Sequence, residues 1–368
     1  MELKIAVDEL SKALFRAQGI VDRKTTMPIL ANVLLSASKE GRLKVTAFDL
    51  DIGVVSEHPA EVIKEGEITL QARTLFDIVK NLPEASVTLR KQENHYVELQ
   101  SGQATFRIVG MSADQYPPLP KEEKAALAKV DGKALLALIE KTSFAISTDE
   151  TRYVLNGVYL EASDGTARMV ATDGHRLALA EAKLGPDFKL KRGVIVPRKG
   201  LFELKRLLEE APDAEVHLGF AEASGIFRKP GLSMVMRLID GQFPEYQQVI
   251  PKVAERALHL QKVKLLETLK RVSLLSAEKA HAVKLQLVDG ALKITSQNPE
   301  LGEAKEELPV DYTGKALSIG FNARYLIDGL QALEGEDVRF ELGDDSSPGV
   351  LRPATGQGYT AVIMPMRI

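Results

Sequence analysis

The segment TDGHR, residues 172–176, gathers side chains that could do chemistry within five positions. Asp173 and His175 could exchange protons with a substrate, and Arg176 could hold an anion. Taken alone, the segment predicts an active site with an acid, a base and an anion clamp. The rest of the chain decides between that interpretation and a structural one.

The aspartate of this segment recurs at corresponding points elsewhere in the chain. Asp49, Asp173 and Asn298 each follow a largely apolar segment, at intervals of 124 and 125 residues. Asp and Asn at such a position accept hydrogen bonds from backbone N–H groups of the following turn. The histidine and arginine of TDGHR have no counterparts in the other two segments. We therefore predict that Asp173 shapes a turn and that the segment is not a repeated catalytic unit.

Sequence motifs of known catalytic and metal sites are missing from the chain. Its six histidines form no HExxH motif, and the absence of cysteine excludes thiolate ligands and thiol nucleophiles. Neither a GxxxxGK[ST] phosphate loop nor a GxSxG nucleophile elbow occurs. Asp49, Asp51 and Asp173 could still hold Mg²⁺. A metal-dependent nuclease or phosphotransferase that uses these three aspartates therefore stays open as an alternative.

Three long segments share one plan: a strand, a polar pair, an amphipathic helix, an acidic turn and a second strand. They span residues 68–90, 193–220 and 317–344, and their helices open at Arg73, Arg198 and Arg324, which lie 125 and 126 residues apart. A repeat of about 125 residues is long enough to form a compact domain. The sequence therefore predicts three domains, at residues 1–120, 128–245 and 258–368.

A second helix precedes the strands of each repeat. Apolar residues at helical spacing predict helices at 8–18, 133–143 and 262–273. Most of the remaining chain alternates as short strands, and we expect QYP (115–117) and QFP (242–244) to belong to closing strands. The predicted fold class is α+β, with two helices on an antiparallel sheet in each of the three repeated domains.

Positive charge is concentrated in the six helical segments. They hold 15 Lys and Arg against 9 Asp and Glu, although the whole chain has a net charge of −3. If these helices line one surface, that surface is basic and could bind the phosphates of a nucleic acid. No base-reading motif accompanies the charge, so such binding would not depend on the base sequence. Lys and Arg are also common on solvated helix faces. The charge pattern alone therefore leaves open a solvated helical surface. A sequence-specific DNA-binding regulator stays open as a second alternative function.

The composition predicts a protein of the cytoplasm. The absence of cysteine fits a reducing compartment, the N-terminus lacks the pattern of a secretory signal, and no apolar run is long enough to span a membrane. The chain ends in the apolar segment AVIMPMRI, which Pro365 interrupts. Since proline cannot continue strand pairing, we expect Met364 and Met366 to border an exposed groove.

Several motifs in combination resemble the bacterial DNA polymerase III beta subunit, the sliding clamp family. They are RYVLNGVYLE (152–161), ATDGHRLALA (171–180), VIVPRKG (194–200), DGQFPEY (240–246), NPE (298–300) and the terminal MPMRI. The resemblance runs over the full length. It implies three clamp domains per subunit, a ring closed by a head-to-tail dimer, and a hole lined by helices. It also implies a non-enzymatic processivity factor that tethers the replicative polymerase to DNA.

The resemblance places TDGHR in a hydrophobic pocket that receives short peptide motifs of partner proteins. There His175 is expected to act as a wall and hydrogen-bonding group, and not as a base. The pocket positions carried over to this chain are Arg152, Leu155, Thr172, Gly174, His175, Arg176, Leu177, Pro244, Gln248, Val249, Asn322, Tyr325, Val362, Met364, Pro365, Met366 and Arg367. Gln248 stands where the family commonly has an arginine.

Two further sets of residues carry over from the family. DNA contacts are implied at Lys24, Arg73, Tyr153, Arg198 and Lys199, and a dimer interface at Phe106 and Ile108 of one subunit facing Leu274 and Leu275 of the other. The chain departs from the family pattern at Asp149 and Val154 near the DNA contacts, and at Gln103 and Thr105 beside the interface.

The partners implied by the resemblance are a second copy of the chain, double-stranded DNA of any sequence, the alpha subunit of the replicative polymerase and the clamp loader. Other proteins with clamp-binding motifs are implied as well, among them repair polymerases, mismatch-repair proteins and ligase. No cofactor, metal or membrane is implied. The implied location is the cytoplasm, at replication forks on the nucleoid.

Overall fold

The computed structural model describes residues 1–21, 26–120, 125–252, 255–276 and 280–367. The chain forms two compact units. Unit 1 comprises Met1–Gly132 and Phe202–Leu238, and unit 2 comprises Lys133–Leu201 and Ile239–Ile368. Each unit therefore contains two separate stretches of the sequence.

The described residues form six α-helices and a large number of short strands. The helices are α1 (Val7–Gln18), α2 (Ala72–Lys80), α3 (Gly132–Thr142), α4 (Arg198–Glu210), α5 (Lys262–Ser273) and α6 (Ala323–Ala332). The strands are β1 (Glu2–Ala6), β2 (Asn32–Ser38), β3 (Arg42–Phe48), β4 (Ile52–Pro59), β5 (Glu61–Lys64), β6 (Gly66–Gln71), β7 (Ser86–Lys91), β8 (Tyr96–Ser101), β9 (Ala104–Val109), β10 (Ala128–Val130), β11 (Gly157–Ser163), β12 (Thr166–Thr172), β13 (Arg176–Lys183), β14 (Val194–Pro197), β15 (Val216–Phe220), β16 (Ser224–Lys229), β17 (Leu232–Arg237), β18 (Arg256–Gln261), β19 (Ala282–Val288), β20 (Ala291–Asn298), β21 (Gly302–Pro309), β22 (Leu317–Asn322), β23 (Asp337–Leu342), β24 (Gly349–Pro353) and β25 (Tyr359–Ile363).

Each unit contains two antiparallel sheets. In unit 1 a five-stranded sheet has the order β5-β1-β7-β8-β9, and an eight-stranded sheet has the order β10-β15-β16-β17-β4-β3-β2-β6. In unit 2 an eight-stranded sheet has the order β14-β11-β12-β13-β25-β24-β23-β18, and a four-stranded sheet has the order β21-β20-β19-β22. In the large sheets, strands that are far apart in sequence pair with each other. Contacts between distant parts of the sequence therefore hold each unit together.

The helices lie where apolar periodicity predicts them. In α1 the residues Leu10, Ala13, Leu14 and Ala17 are buried, which is the spacing of one helical face. The helix has acidic residues in its first turn and Arg16 in its last, which suits the helix dipole. None of the helices in the described part of the chain has the length and apolar character needed to cross a membrane.

The three recurring Asp and Asn residues cap equivalent turns, as predicted. Oδ1 of Asp49 accepts hydrogen bonds from the N–H groups two and three residues ahead, at 3.0 and 2.6 Å. Oδ1 of Asp173 accepts the corresponding pair at 2.9 and 3.0 Å, and Oδ1 of Asn298 accepts it at 2.9 and 3.2 Å. The repeat seen in the sequence is therefore a repeat of one strand–turn unit.

The prediction that QYP (115–117) and QFP (242–244) belong to closing strands is wrong. Neither segment pairs in a sheet, and only isolated bridges precede them, at Met111 and Ile239. Both segments contain proline, which lacks the N–H group needed for a strand ladder. Their aromatic residues are buried, which explains why the pattern looked like that of a strand.

Candidate functional site

The TDGHR segment forms a tight turn between β12 and β13 in unit 2. The hydroxyl of Thr172 donates a hydrogen bond to the carbonyl of Arg176 at 2.6 Å and accepts one from the N–H of Gly174 at 3.1 Å. Gly174 has a φ of +88°, and a Cβ atom there would lie 2.7 Å from Nη1 of Arg152. Glycine is needed both for this backbone conformation and for the close approach of the arginine.

The aspartate and arginine of this turn are bound to their own chain. Besides capping the turn, Asp173 accepts a hydrogen bond from Nε of Arg176 at 3.0 Å. Nη1 of Arg176 donates to Asp328 on α6, and its Nη2 donates to the carbonyl of Phe144 at 2.6 Å. The carboxylate and guanidinium that suggested catalysis therefore serve to fix the turn.

A cavity of about 170 Å³ opens beside this turn. It is lined by Leu155, Thr172, Gly174, Arg176, Leu177, Pro244, Glu245, Tyr246, Val249, Val362 and Met364. Nine of these eleven residues belong to the set that the family resemblance implied. The structure therefore brings residues from four separate stretches of the sequence to one cavity.

The cavity has a buried apolar floor and a more exposed rim. Leu155, Leu177 and Val362 belong to a buried cluster and are at most 6% exposed, whereas Val249 and Met364 are 46% and 39% exposed. Concave apolar surface with a few polar groups at its border is typical of sites that take apolar ligand groups. This arrangement can bury small apolar side chains, and it offers no pair of groups suited to acid–base chemistry.

Tyr246 is a buried part of the cavity wall. Its hydroxyl donates to Glu161 at 2.6 Å and accepts from Arg168 at 3.1 Å. The neighbouring Phe243 stacks on Tyr159 with ring centroids 5.1 Å apart. Burial and the hydrogen bond to Glu161 raise the pKa of Tyr246, so it remains a neutral donor. Tyr246 was missed in the sequence, although it lies in the DGQFPEY motif.

The C-terminal segment also lines the cavity, through Val362 and Met364. The N–H of Met364 donates to the carbonyl of His175 at 2.9 Å, and that of Met366 donates to the carbonyl of Gly320 at 2.8 Å. These two bonds hold the segment on either side of Pro365. Met364 is exposed beside the cavity, as expected, whereas Met366 is half-buried.

Some predicted pocket residues lie outside the lining of this cavity. They are Arg152, His175, Gln248, Asn322, Tyr325, Pro365, Met366 and Arg367. His175 is exposed, and its backbone carbonyl holds Met364. Gln248 donates to Glu245. Oδ1 of Asn322 caps α6 by accepting from the N–H groups of Arg324 and Tyr325.

Three of the predicted DNA-binding residues belong to unit 2 and lie near one another. They are Tyr153, Arg198 and Lys199. Tyr153 is 56% exposed in the short 3-10 segment Glu150–Leu155. The N–H of Arg198 donates to the carbonyl of Asn156 at 3.0 Å, which places the start of α4, with Lys199, beside the end of that segment.

The remaining predicted DNA contacts lie in the first part of the chain. Arg73 is exposed on α2 of unit 1, and its Nε lies 3.9 Å from Oδ2 of Asp77. Lys24 lies outside the described residues.

Asp149, one of the departures from the family pattern, shapes the 3-10 segment that carries Tyr153. It accepts hydrogen bonds from the backbone and hydroxyl of Thr151, at 3.0 and 2.7 Å, and from Nε of Arg152 at 3.0 Å. The hydrogen bonds from Thr151, followed by that from Arg152, lower the pKa of Asp149. The departure from the family pattern therefore adds a charged group that orders Arg152.

The residues predicted for a subunit interface are apolar and accessible. Phe106 and Ile108 lie on β9, an edge strand of the five-stranded sheet in unit 1, and Phe106 is 37% exposed. In unit 2, Leu274 follows α5 and is 76% exposed, with Leu275 half-buried beside it. An edge strand that carries exposed apolar side chains is able to pair with another chain.

Asp49, Asp51 and Asp173 do not form a metal site. Among the residues that the structure describes, no three His, Asp or Glu side chains are grouped so that they could hold a metal ion. Asp49 and Asp173 are instead engaged as turn caps.

Comparison with known proteins gives one consistent result. Models of the DNA polymerase III beta subunit match the N-terminal domain at residues 1–120, the central domain at 129–245 and the C-terminal domain at 247–367. The chain is 39% identical to the beta sliding clamp of Caulobacter vibrioides over 374 residues, with full coverage of both.

Solved structures agree with this result. The Caulobacter crescentus beta sliding clamp has a TM-score of 0.95 at 38% identity, and the Pseudomonas aeruginosa clamp bound to griselimycin has a TM-score of 0.94 at 36% identity. Both comparisons cover 100% of each chain. They give no support to a nuclease or phosphotransferase. The chain therefore belongs to the DNA polymerase III beta subunit family, the beta sliding clamps, which are non-catalytic processivity subunits in DNA replication.

Proposed function

We propose that the cavity of unit 2 receives apolar side chains of short peptide segments from replication and repair proteins. The cavity itself carries this proposal, because it combines a buried apolar floor with an exposed rim built from the predicted residues. Burying two or three apolar side chains contributes roughly 1.5–3 kcal/mol each, before the cost of ordering the peptide. Affinity for a short peptide is then expected in the micromolar range, which suits partners that must exchange.

We propose further that two copies of the chain close a head-to-tail ring around duplex DNA. The accessible apolar residues on β9 and after α5 support such an interface, because they belong to different parts of the chain and can alternate around a ring. Contacts to DNA from Lys24, Arg73, Tyr153, Arg198 and Lys199 would be to the backbone and indifferent to sequence.

The remaining assignments follow from this role. The proposed partners are the polymerase alpha subunit, the clamp loader, repair polymerases, mismatch-repair proteins and ligase, and the proposed location is the cytoplasm at replication forks. The division into domains at 1–120, 128–245 and 258–368 is supported by the ranges of the family matches.

A solved relative is bound to griselimycin, and we expect this ligand to enter the cavity of the present chain, so it serves as the probe. Calorimetric titration should show binding to the wild-type chain, and deletion of residues 364–368 should abolish it by removing one side of the rim. Light scattering should still report about twice the chain mass of 40.3 kDa for the deletion variant.

Two substitutions make the test specific. Met364→Ala should weaken binding, whereas Leu301→Ala, which removes another exposed apolar side chain of unit 2, should leave it unchanged. His175→Ala should weaken binding only modestly. Equal binding to the wild-type and deletion chains would refute the assignment of the cavity. If His175→Ala lost a hydrolytic activity and still bound griselimycin normally, the result would support the interpretation of TDGHR as an active site.

A further inference from the structure

The guanidinium of Arg176 is held on three sides by groups of unit 2. Its Nε donates to Asp173 at 3.0 Å, its Nη2 to the carbonyl of Phe144 at 2.6 Å, and its Nη1 to Asp328 at 2.5 Å. The side chain is 13% exposed. Its Cζ also lies 4.4 Å from the ring centroid of Tyr325, a distance at which the ring face attracts a cation.

These contacts limit what Arg176 can do at the cavity. Each of its three nitrogen atoms already donates to an acceptor in the chain, and two of the acceptors are carboxylates. These bonds hold the plane of the guanidinium in one orientation, and those to the carboxylates are charge-assisted and therefore strong. Arg176 therefore contributes a wall of fixed position to the cavity.

Asp328 on α6 accepts a hydrogen bond from this guanidinium, and the Tyr325 ring that faces it belongs to the same helix. That helix is fixed against the large sheet of unit 2, because the hydroxyl of Tyr359 on β25 donates to the carbonyl of Gly329 at 3.0 Å. A Cβ atom on Gly329 would lie 3.2 Å from side-chain atoms of Ala361 and Leu351, so helix and sheet are in close contact there. Asp328 thus links a helix of fixed position to the arginine of the TDGHR turn.

Asp328 does not line the cavity beside the turn. It lines a separate groove of about 440 Å³ between α3 and α6, together with Phe144, Lys141 and Glu334. The guanidinium of Arg176 therefore connects the wall of the cavity to residues that border a different surface of unit 2.

We propose that Asp328 is a positioning residue of the peptide site, acting through Arg176. By holding the guanidinium against α6, its carboxylate fixes the TDGHR turn at the distance from Pro244 and Met364 that the cavity requires. This inference rests on the proposed function of the cavity. It predicts that a residue which touches neither cavity nor ligand controls affinity.

Asp328→Asn tests the inference, with griselimycin as the probe. The variant replaces a charge-assisted bond of a largely buried arginine with a weaker neutral one, so the dissociation constant should rise about tenfold. Asp328→Glu keeps the carboxylate and should restore part of the affinity. Glu334→Gln is the matched control, because it removes the same charge from the same groove without contacting Arg176, and its affinity should equal that of the wild type.

A double-mutant cycle separates positioning from a general loss of structure. Arg176→Met keeps an apolar wall and removes the guanidinium, so adding Asp328→Asn to it should cause no further loss of griselimycin affinity. A further tenfold loss in that background would overturn the inference, as would wild-type affinity in Asp328→Asn alone. Failure of the wild-type chain to bind griselimycin would instead overturn the proposed function of the cavity. Thermal unfolding of each variant checks that the compared chains are folded.

Discussion

In unit 1, one carboxylate faces two cations that are almost removed from solvent. Nη2 of Arg16 on α1 lies 2.7 Å from Oε1 of Glu210 on α4, and Nζ of Lys229 lies 3.3 Å from its Oε2. The side chains of Arg16 and Lys229 are only 9% and 4% exposed. Lys229 also donates to the carbonyl of Leu207 at 2.8 Å. The network depends on Glu210, because its carboxylate contacts both cations.

Glu210→Gln should therefore destabilise unit 1. Breaking a fully buried ion pair costs roughly 3–5 kcal/mol, and the 24% exposure of Glu210 reduces our expectation to about 2–3 kcal/mol. Urea unfolding followed by circular dichroism measures this change. Glu209→Gln is the control, because Glu209 is 50% exposed and pairs with Lys205 on the helix surface, where such a pair contributes less than about 1 kcal/mol. Equal stability of the two variants would contradict the role assigned to Glu210.

Some features of the candidate site could be predicted from single residues in the sequence, and others could not. The repeat of Asp49, Asp173 and Asn298 was enough to predict a turn cap in place of an acid catalyst. The partners of Arg176 could not be predicted, since Phe144 and Asp328 lie 32 and 152 residues away and are brought to it only by the fold.

At the scale of elements, local patterns predicted helices well and strand pairing poorly. Apolar spacing located α1 and α5 to within a residue, because a helix forms from near neighbours. The pairing of β17 with β4 joins residues 232–236 to 52–56, and no local pattern specifies such a partner. The strand prediction at QYP and QFP was wrong because an aromatic side chain can be buried without its backbone being hydrogen-bonded in a sheet. The prolines in both segments argue against strand pairing.

The edge strand β9 is the element on which the proposed assembly depends. Phe106→Asp should yield a folded monomer, because a charge on this edge would be buried without a partner in the proposed interface. Light scattering should then report about 40.3 kDa in place of about twice that mass. Ile63→Asp is the matched control, since Ile63 is 61% exposed on β5, at the opposite edge of the same sheet. A wild-type chain that stays monomeric at micromolar concentration would refute the proposed ring.

At the scale of the whole molecule, charge alone is a weak means of holding DNA. The chain has a net charge of −3, so any attraction to phosphate must come from the local excess of Lys and Arg in the helices. Four basic contacts, at Lys24, Arg73, Arg198 and Lys199, would lose about 10³–10⁴-fold in affinity between roughly 0.1 and 1 M salt. A protein held only by these contacts would leave DNA in high salt, whereas a closed ring would not.

The chain loaded by its clamp loader onto nicked circular DNA should therefore survive a wash in about 1 M salt, because a ring can leave a circle only by opening. Cutting the circle with a restriction enzyme should release it, since the ring then slides off the new ends. Retention should be the same on circles of unrelated sequence, which separates this protein from a sequence-specific regulator. The Phe106→Asp variant is the control and should be lost from circles and linear molecules alike. Equal loss of the wild-type chain from both forms would show that electrostatic contacts, and not a closed ring, hold it on DNA.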